Sequence, residues 1–261
     1  MEKKYELIET DCKDLYRIKA LKDFQLMTGE VVRKGDPGGL VEGEHTLSQE
    51  GNCWIGYEAR ASKHSRVMDN AVLKDFSRAF DNPTISGNVI MEHYSLTRDN
   101  ATVSGNAVMK DFSWAKGDSI ISGNAILQAY QHIQFGTVTT DLLGTKDWVG
   151  ALYAELGVVP QNNKVILYKK VWKTDNPDVF ESDYRRNFLY KTGKISRVRK
   201  VDEDIFRICA RGLHFTSLEF VNNYGGDTIL ECEVKVPYIG IVQVSQVKAR
   251  RCKVLRVYKG E

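Results

Sequence analysis

At 261 residues, with 42% hydrophobic and 27% charged side chains, the chain has enough apolar surface for a packed core and too much for a disordered coil. A formal net charge of +3 hides a division: residues 161–261 hold 20 of the 37 Lys and Arg but 12 of the 34 Asp and Glu, which leaves the first 160 residues near −5. The five cysteines, at 12, 53, 209, 232 and 252, form no CxxC pair, which excludes a zinc framework and argues for reduced thiols.

The opening MEKKYELIETD carries no apolar leader, and no window approaches a membrane span. A soluble, cytoplasmic protein without a membrane partner is expected. LYRIKALKDF, residues 15–24, reads as a strand. VVRKGDPGGLVEG, residues 31–43, reads as a strand followed by a glycine-rich turn. Residues 1–44 are expected to cap the repeats downstream of them, with GLVEGE and HTLSQE either continuing the winding or closing it.

A six-residue frame then runs without a slip over residues 51–128, from GNCWIG through DNAVLK, DFSRAF and DNPTIS to GNAILQ. Its third position is small or compact, as at Ala71, Ser77, Pro83 and Val89. Its fifth is mostly apolar, as at Leu73, Ala79, Ile85 and Met91. Positions two apart share a face of an extended strand, and the leading Gly or Asp followed by Asn turns the chain and tolerates left-handed dihedrals. A helical period of 3.6 would scatter the small positions, so each hexad is a short strand and a corner. Matching side chains recur every eighteen residues, which makes three hexads one turn of a three-sided coil. Columns are expected about 4.8 Å apart, including an aromatic one at Phe76, Tyr94, Phe112 and Tyr130 and an amide one at Asn70, Asn88, Asn106 and Asn124. The aromatic column is read as an interaction surface, for self-association, domain packing or a flat ligand.

TKDWVGALYAELG, residues 145–157, reads as a helix with Trp148, Leu152 and Leu156 on one face, Thr145 as its cap and Gly157 with Pro160 as its stop. It is expected to cover the final coil. The domain plan is therefore a cap over 1–44, a hexapeptide coil over 45–134, a capping helix and linker over 135–160, and a basic α+β domain over 161–261. In that last domain, residues 164–172, 213–217, 227–237, 239–244 and 251–260 read as strands, and 187–200 as a strand or turn leading into a basic stretch. Residues 217–225 read as a helix packed through Leu218, Val221 and Tyr224 and capped by Ser217. The fold class is mainly β: a three-sided parallel coil with a small C-terminal α+β domain.

The hexads resemble the left-handed parallel β-helix family, and the left hand is implied by that resemblance alone. The segment from LYRIKALKDF through GDPGG into the GNA hexads, roughly residues 15–128, is similar to a group of prophage and enterobacterial GNA-repeat proteins. Many coils of this type are trimers, which makes a homotrimer the favoured oligomer, and many are acyltransferases. Acyltransferases of this type use a catalytic histidine beside a loop that interrupts the coils. Here no loop interrupts the frame, and His64 and His93 sit at corners of different columns.

VILYKKV, then GLHFTSLEFVNNY, then TILECEVKV resembles an altered ADP-ribosyltransferase core of the poly(ADP-ribose) polymerase type. The resemblance implies an NAD-like ligand, with Lys169 at the position of a ribose-gripping histidine and His214 at that of a nicotinamide-stacking tyrosine. It implies a later strand-borne glutamate, yet KARRCKVLRVY offers no acid before Glu261. Lys169, Arg211, His214 and Ser217 are the candidate ligand-binding residues, facing a phosphate or a base. No catalytic residue, metal ligand or cofactor is assigned. The basic run SRVRK, with Arg185, Arg186, Lys248, Arg250 and Arg251, suits a phosphate backbone. Three function classes stand: a rigid scaffold with a basic binding domain and an unidentified macromolecular partner; a nucleotide-binding, ADP-ribosyltransferase-like enzyme or relic; or a hexapeptide-repeat acyltransferase.

Overall fold

A computed structural model describes residues 2–260. The chain divides into two compact units, Met1–Thr145 and Lys146–Glu261. The protein is mainly β, a solenoid of stacked parallel strands followed by a small α+β region.

In the first unit, two-residue strands spaced by the hexad pair in parallel with strands eighteen residues away, as in Arg78↔Leu96, Thr84↔Thr102 and Ile90↔Val108. Three parallel sheets result, one per side of the coil. The third and fifth positions are buried throughout residues 51–128. Volume, rather than hydrogen bonding, is what the third position selects: the hydroxyls of Ser77, Ser95 and Ser113 are buried with no partner among the described residues. The polar fifth-position residue, Thr97, directs its hydroxyl at the thioethers of Met91 and Met109, 3.4 and 3.5 Å away.

The corners explain the remaining letters. The first residue of every hexad but Tyr57 has a positive φ, from Gly51 and Lys63 to Asp111 and Gly123. That conformation is free for Gly and costs Asp or Asn least among the others. The aspartates use it: Asp69, Asp75, Asp99 and Asp111 accept from the backbone N–H of Gly87, His93, Gly117 and Ala129, each eighteen residues on, at 2.8–3.0 Å. Second positions then stack corner by corner. Asn70, Asn88, Asn106 and Asn124 form a chain of amide hydrogen bonds at 3.0, 3.0 and 3.1 Å. Phe76, Tyr94, Phe112 and Tyr130 stack with centroids 5.1, 5.3 and 5.1 Å apart and planes within 7° of parallel.

Winding begins before the clean repeat. Val41 pairs with Ala61 and Leu47 with Val67, a spacing of twenty residues, so GLVEGE and HTLSQE do continue the coil. Gly39 has to be glycine there, since a Cβ would lie 2.4 Å from the Ala59 carbonyl oxygen. Strands Tyr5–Glu9 and Tyr16–Ala20 extend one sheet antiparallel from Pro37–Val41. The last coil is one residue short, pairing Ile120 with Thr137.

A second sheet ends at Trp54–Ile55, leaving carbonyls that an earlier coil would have bonded. Lys4 takes that place. Its ammonium, on a residue 1% exposed, donates to the carbonyls of Glu50, Gly51 and Cys53 at 3.2, 3.2 and 2.9 Å and lies 3.2 Å from Cys53 Sγ. Burial lowers its pKa, and contact with Cys53 works in the opposite direction.

In the second unit, the helix Trp148–Leu156 is capped by Asp147, whose carboxylate accepts from Gly150 N, and ends at Gly157 with φ +66°. Thr145, expected as the cap, instead donates its hydroxyl to the Asp141 carbonyl at 2.6 Å. The helix packs on strand Ile239–Gln243, and its buried Glu155 accepts from Ser245 N at 3.0 Å.

A six-stranded antiparallel sheet runs in the order Leu189–Lys191, Val179–Ser182, Lys164–Lys173, Thr228–Lys235, Arg251–Val257, Ile195–Arg197. Its outermost strands are joined by residues 192–194 alone, so the sheet curls strongly. A three-stranded sheet joins Leu213–Phe215, Gln246–Ala249 and Ile239–Gln243. The helix expected over 217–225 is only a single 3-10 turn, Val221–Asn223, and Ser217 does not cap it. With Asn222 and Asn223 inside this stretch, Gly225 at its end and Gly226 directly after it, the segment favours turns over a helix.

Replacing Lys4 by Met keeps the bulk and removes the donors. Unfolding free energy, read by urea denaturation, is expected to fall by about 2–4 kcal/mol. Lys3→Met, which breaks only an exposed pair with Glu44, is expected to cost about 0.5 kcal/mol or less.

Candidate ligand-binding site

Strand Lys164–Lys173 alternates, and Val165, Leu167 and Val171 of its inward row are buried. Lys169 falls on that same row, where an apolar side chain is expected. Its ammonium donates to the His214 carbonyl at 3.2 Å and lies 5.3 Å from the centroid of the buried Tyr190 ring. Burial lowers its pKa. Neighbouring Cys232, Cys252 and, least of all, Asp183 work in the opposite direction.

The two sheets of this unit are pinned together at one point. Tyr168 N donates to the Thr216 carbonyl at 2.8 Å, and Thr216 N donates to the Tyr168 carbonyl at 2.9 Å. A cavity of about 200 Å³ opens beside that junction, lined in part by Tyr168, Lys169, Asp183, His214, Phe215 and Tyr224. The Asp183 carboxylate accepts from Trp172 Nε1 at 2.7 Å. Gly225 passes beneath it so closely that a Cβ there would lie 2.6 Å from Asp183 Oδ2. Tyr184, 76% exposed, stands at the rim.

His214 is flanked by the buried Leu213 and Phe215 and turns its ring to the other face of its strand. Its Nε2 is buried with no partner among the described residues. Burial, followed by the charges of Lys169 and Lys248, lowers its pKa to about 4. The imidazole is therefore neutral at pH 7, with one ring nitrogen uncommitted. Opposite it in register, Lys248 is 1% exposed and donates to the Arg207 carbonyl at 2.6 Å. Burial raises the Tyr224 phenol, while hydrogen bonds from Thr216 and Gln246 side chains work the other way.

Of the four residues expected to bind a ligand, Lys169 and His214 meet in this cavity. Arg211 and Ser217 are not among its lining residues: Arg211 is exposed, and Ser217 is buried with its hydroxyl unpartnered among the described residues. Asp183, Tyr184 and Tyr224 join the site without a signal in the sequence that marks them for it. Tyr224 is legible there only as a packing residue, and Asp183 sits in a turn that no pattern distinguishes. Glu261 lies outside the described residues. In the first unit the aromatic column has three exposed rings, from 41% at Phe112 to 54% at Tyr94, and a half-buried one at Tyr130. Its rings cover one another's faces, so edges are what it offers along its length.

Among the described residues, no group of three or more His, Cys, Asp or Glu side chains gathers so as to hold a metal ion, and no helix is long and apolar enough to cross a membrane. Comparison with protein-family models and with curated proteins gave no match.

Between about pH 6.5 and 4 the unfolded chain binds a proton at position 214 that the folded chain does not, so stability rises with pH across that window. His214→Gln removes this term. Relative to the parent protein, the variant is expected to gain about 2 kcal/mol on going from pH 7 to pH 5, measured by urea denaturation at both pH values.

Proposed function

We propose that the chain is a binding protein in which the solenoid is the rigid structural element and the second unit holds the ligand. The ligand is a nucleotide-like molecule, with a planar ring and an anionic group, seated in the cavity between strands Lys164–Lys173 and Leu213–Phe215. One observation carries the reading: a lysine on the inward row, with no ion pair among the described residues, meets a neutral histidine with an uncommitted nitrogen inside an aromatic-walled cavity. A desolvated ammonium that Asp183 influences without a direct ion pair is costly, and an anionic ligand offsets that cost. The walls of Tyr168, Phe215 and Tyr224 suit a ring, and His214 Nε2 suits its donor or acceptor edge.

The resemblance to the ADP-ribosyltransferase core makes NAD and ADP-ribose the first probes. Binding rather than turnover is proposed, because the signature positions hold Lys169 and His214 and the last strand, Arg251–Val257, carries no glutamate. The exposed edges of the aromatic column favour self-association of the solenoid, with a trimer the form that the resemblance implies.

Calorimetry with NAD, ADP-ribose and ADP is expected to show one site per chain for at least one of them. Lys169→Met and His214→Gln are each expected to weaken it tenfold or more. No binding of any of the three at 1 mM, or unchanged affinity in both variants, would place the site elsewhere.

A further inference from the structure

The positive charge of the second unit gathers at a place separate from the cavity. Strand Ile195–Arg197 pairs antiparallel with Arg251–Val257, and the register sets Arg197 directly opposite Arg251. Like charges facing each other across a sheet are destabilising, so this pairing has to be offset elsewhere or by a bound anion. Lys253, exposed like Arg197, is two residues along from Arg251 and shares its face of the strand. Beyond the strand end, Val198 N donates to the Arg250 carbonyl at 2.9 Å, and Arg250 N to the Tyr238 carbonyl at 2.9 Å. The guanidiniums of Arg250 and Arg251 approach the Tyr238 ring at 5.0 and 5.5 Å. A groove of about 330 Å³ opens here, lined in part by Arg199, Lys200, Tyr238 and Arg250.

Arg197, Arg199, Lys200, Arg250, Arg251 and Lys253 make no ion pair and no side-chain hydrogen bond among the described residues. The nearby carboxylates are engaged by other lysines: Glu203 by Lys146 at 2.8 Å and Glu233 by Lys164 at 3.0 Å. Arginine dominates the cluster, and a guanidinium grips phosphate oxygens with two parallel donors. Because Tyr238 is approached by two guanidiniums, it serves to hold those forks rather than to stack a base.

We infer that this groove and the adjoining strand face bind the phosphate backbone of a single-stranded nucleic acid, with little preference for base sequence. Four to six neutralised phosphates imply a slope of about −3 to −4 in the logarithm of affinity against the logarithm of salt concentration.

The test is fluorescence anisotropy of the full chain with labelled 20-nucleotide oligo-dT and oligo-U across 50–200 mM salt. Two variants carry the same change in charge: Arg250→Glu with Arg251→Glu in the patch, and Lys13→Glu with Lys34→Glu on the exposed surface of the first unit. The patch variant is expected to lose at least tenfold in affinity and the control less than threefold, with near-UV circular dichroism unchanged in both. Arg197→Glu with Arg199→Glu repeats the test if the first patch variant misfolds. Absence of binding at 50 mM salt would overturn the inference, as would equal loss in patch and control variants. Competition by polyglutamate as effective, per charge, as by unlabelled oligonucleotide would overturn it in favour of an acidic polypeptide.

Discussion

The coil of the first unit rests on a left-handed backbone residue at every hexad corner but that of Tyr57. That single conformation turns the chain after a two-residue strand and sets the step that brings every eighteenth residue into register. The ladder of parallel backbone hydrogen bonds results from it, and so do the columns. The aspartates add a bond of their own at the same place, accepting from the N–H one floor away. A residue chosen because it tolerates the turn thus also ties two turns together. The asparagine and aromatic stacks are consequences of register rather than its cause, since they lie at exposed corners where each contact contributes little.

The repeat is legible because a solenoid is nearly one-dimensional: each floor answers only to its neighbours, so the sequence prints the cross-section directly. The small third position, the apolar fifth and the stacked corners all lie where the frame puts them. What escapes the frame is non-local. Nothing in the letters around Lys4 says that it closes the edge at Trp54, because its partners lie more than forty-five residues away. The continuation through Val41 and Leu47 is one of two alternatives the sequence leaves open, because its spacing is twenty in place of eighteen.

The second unit reads less well for the same reason. Its strands are recognisable from alternation, but the order of a curled antiparallel sheet depends on contacts between distant segments. The inward lysine is visible as a break in the row Val165, Leu167, Lys169, Val171. The strand carrying His214 is visible too. Their meeting depends on the two-way bond between Tyr168 and Thr216, which no spacing announces. The stretch after Ser217 misleads because apolar residues at 218, 221 and 224 mimic a helical face. Two asparagines within the span and the glycine pair directly after Tyr224 prevail over that pattern.

The Lys4 closure makes the coil modular. The ammonium touches only the first floor, and the shortened pairing at Thr137 touches only the last. Between them, the floors from Asp69 onward are nearly interchangeable units of eighteen residues. A duplication or loss of one unit would leave both terminal arrangements intact and change the length of the rod by one strand spacing, about 4.8 Å. Such a chain evolves as a ruler does, by whole divisions, and its length is open to selection apart from its chemistry.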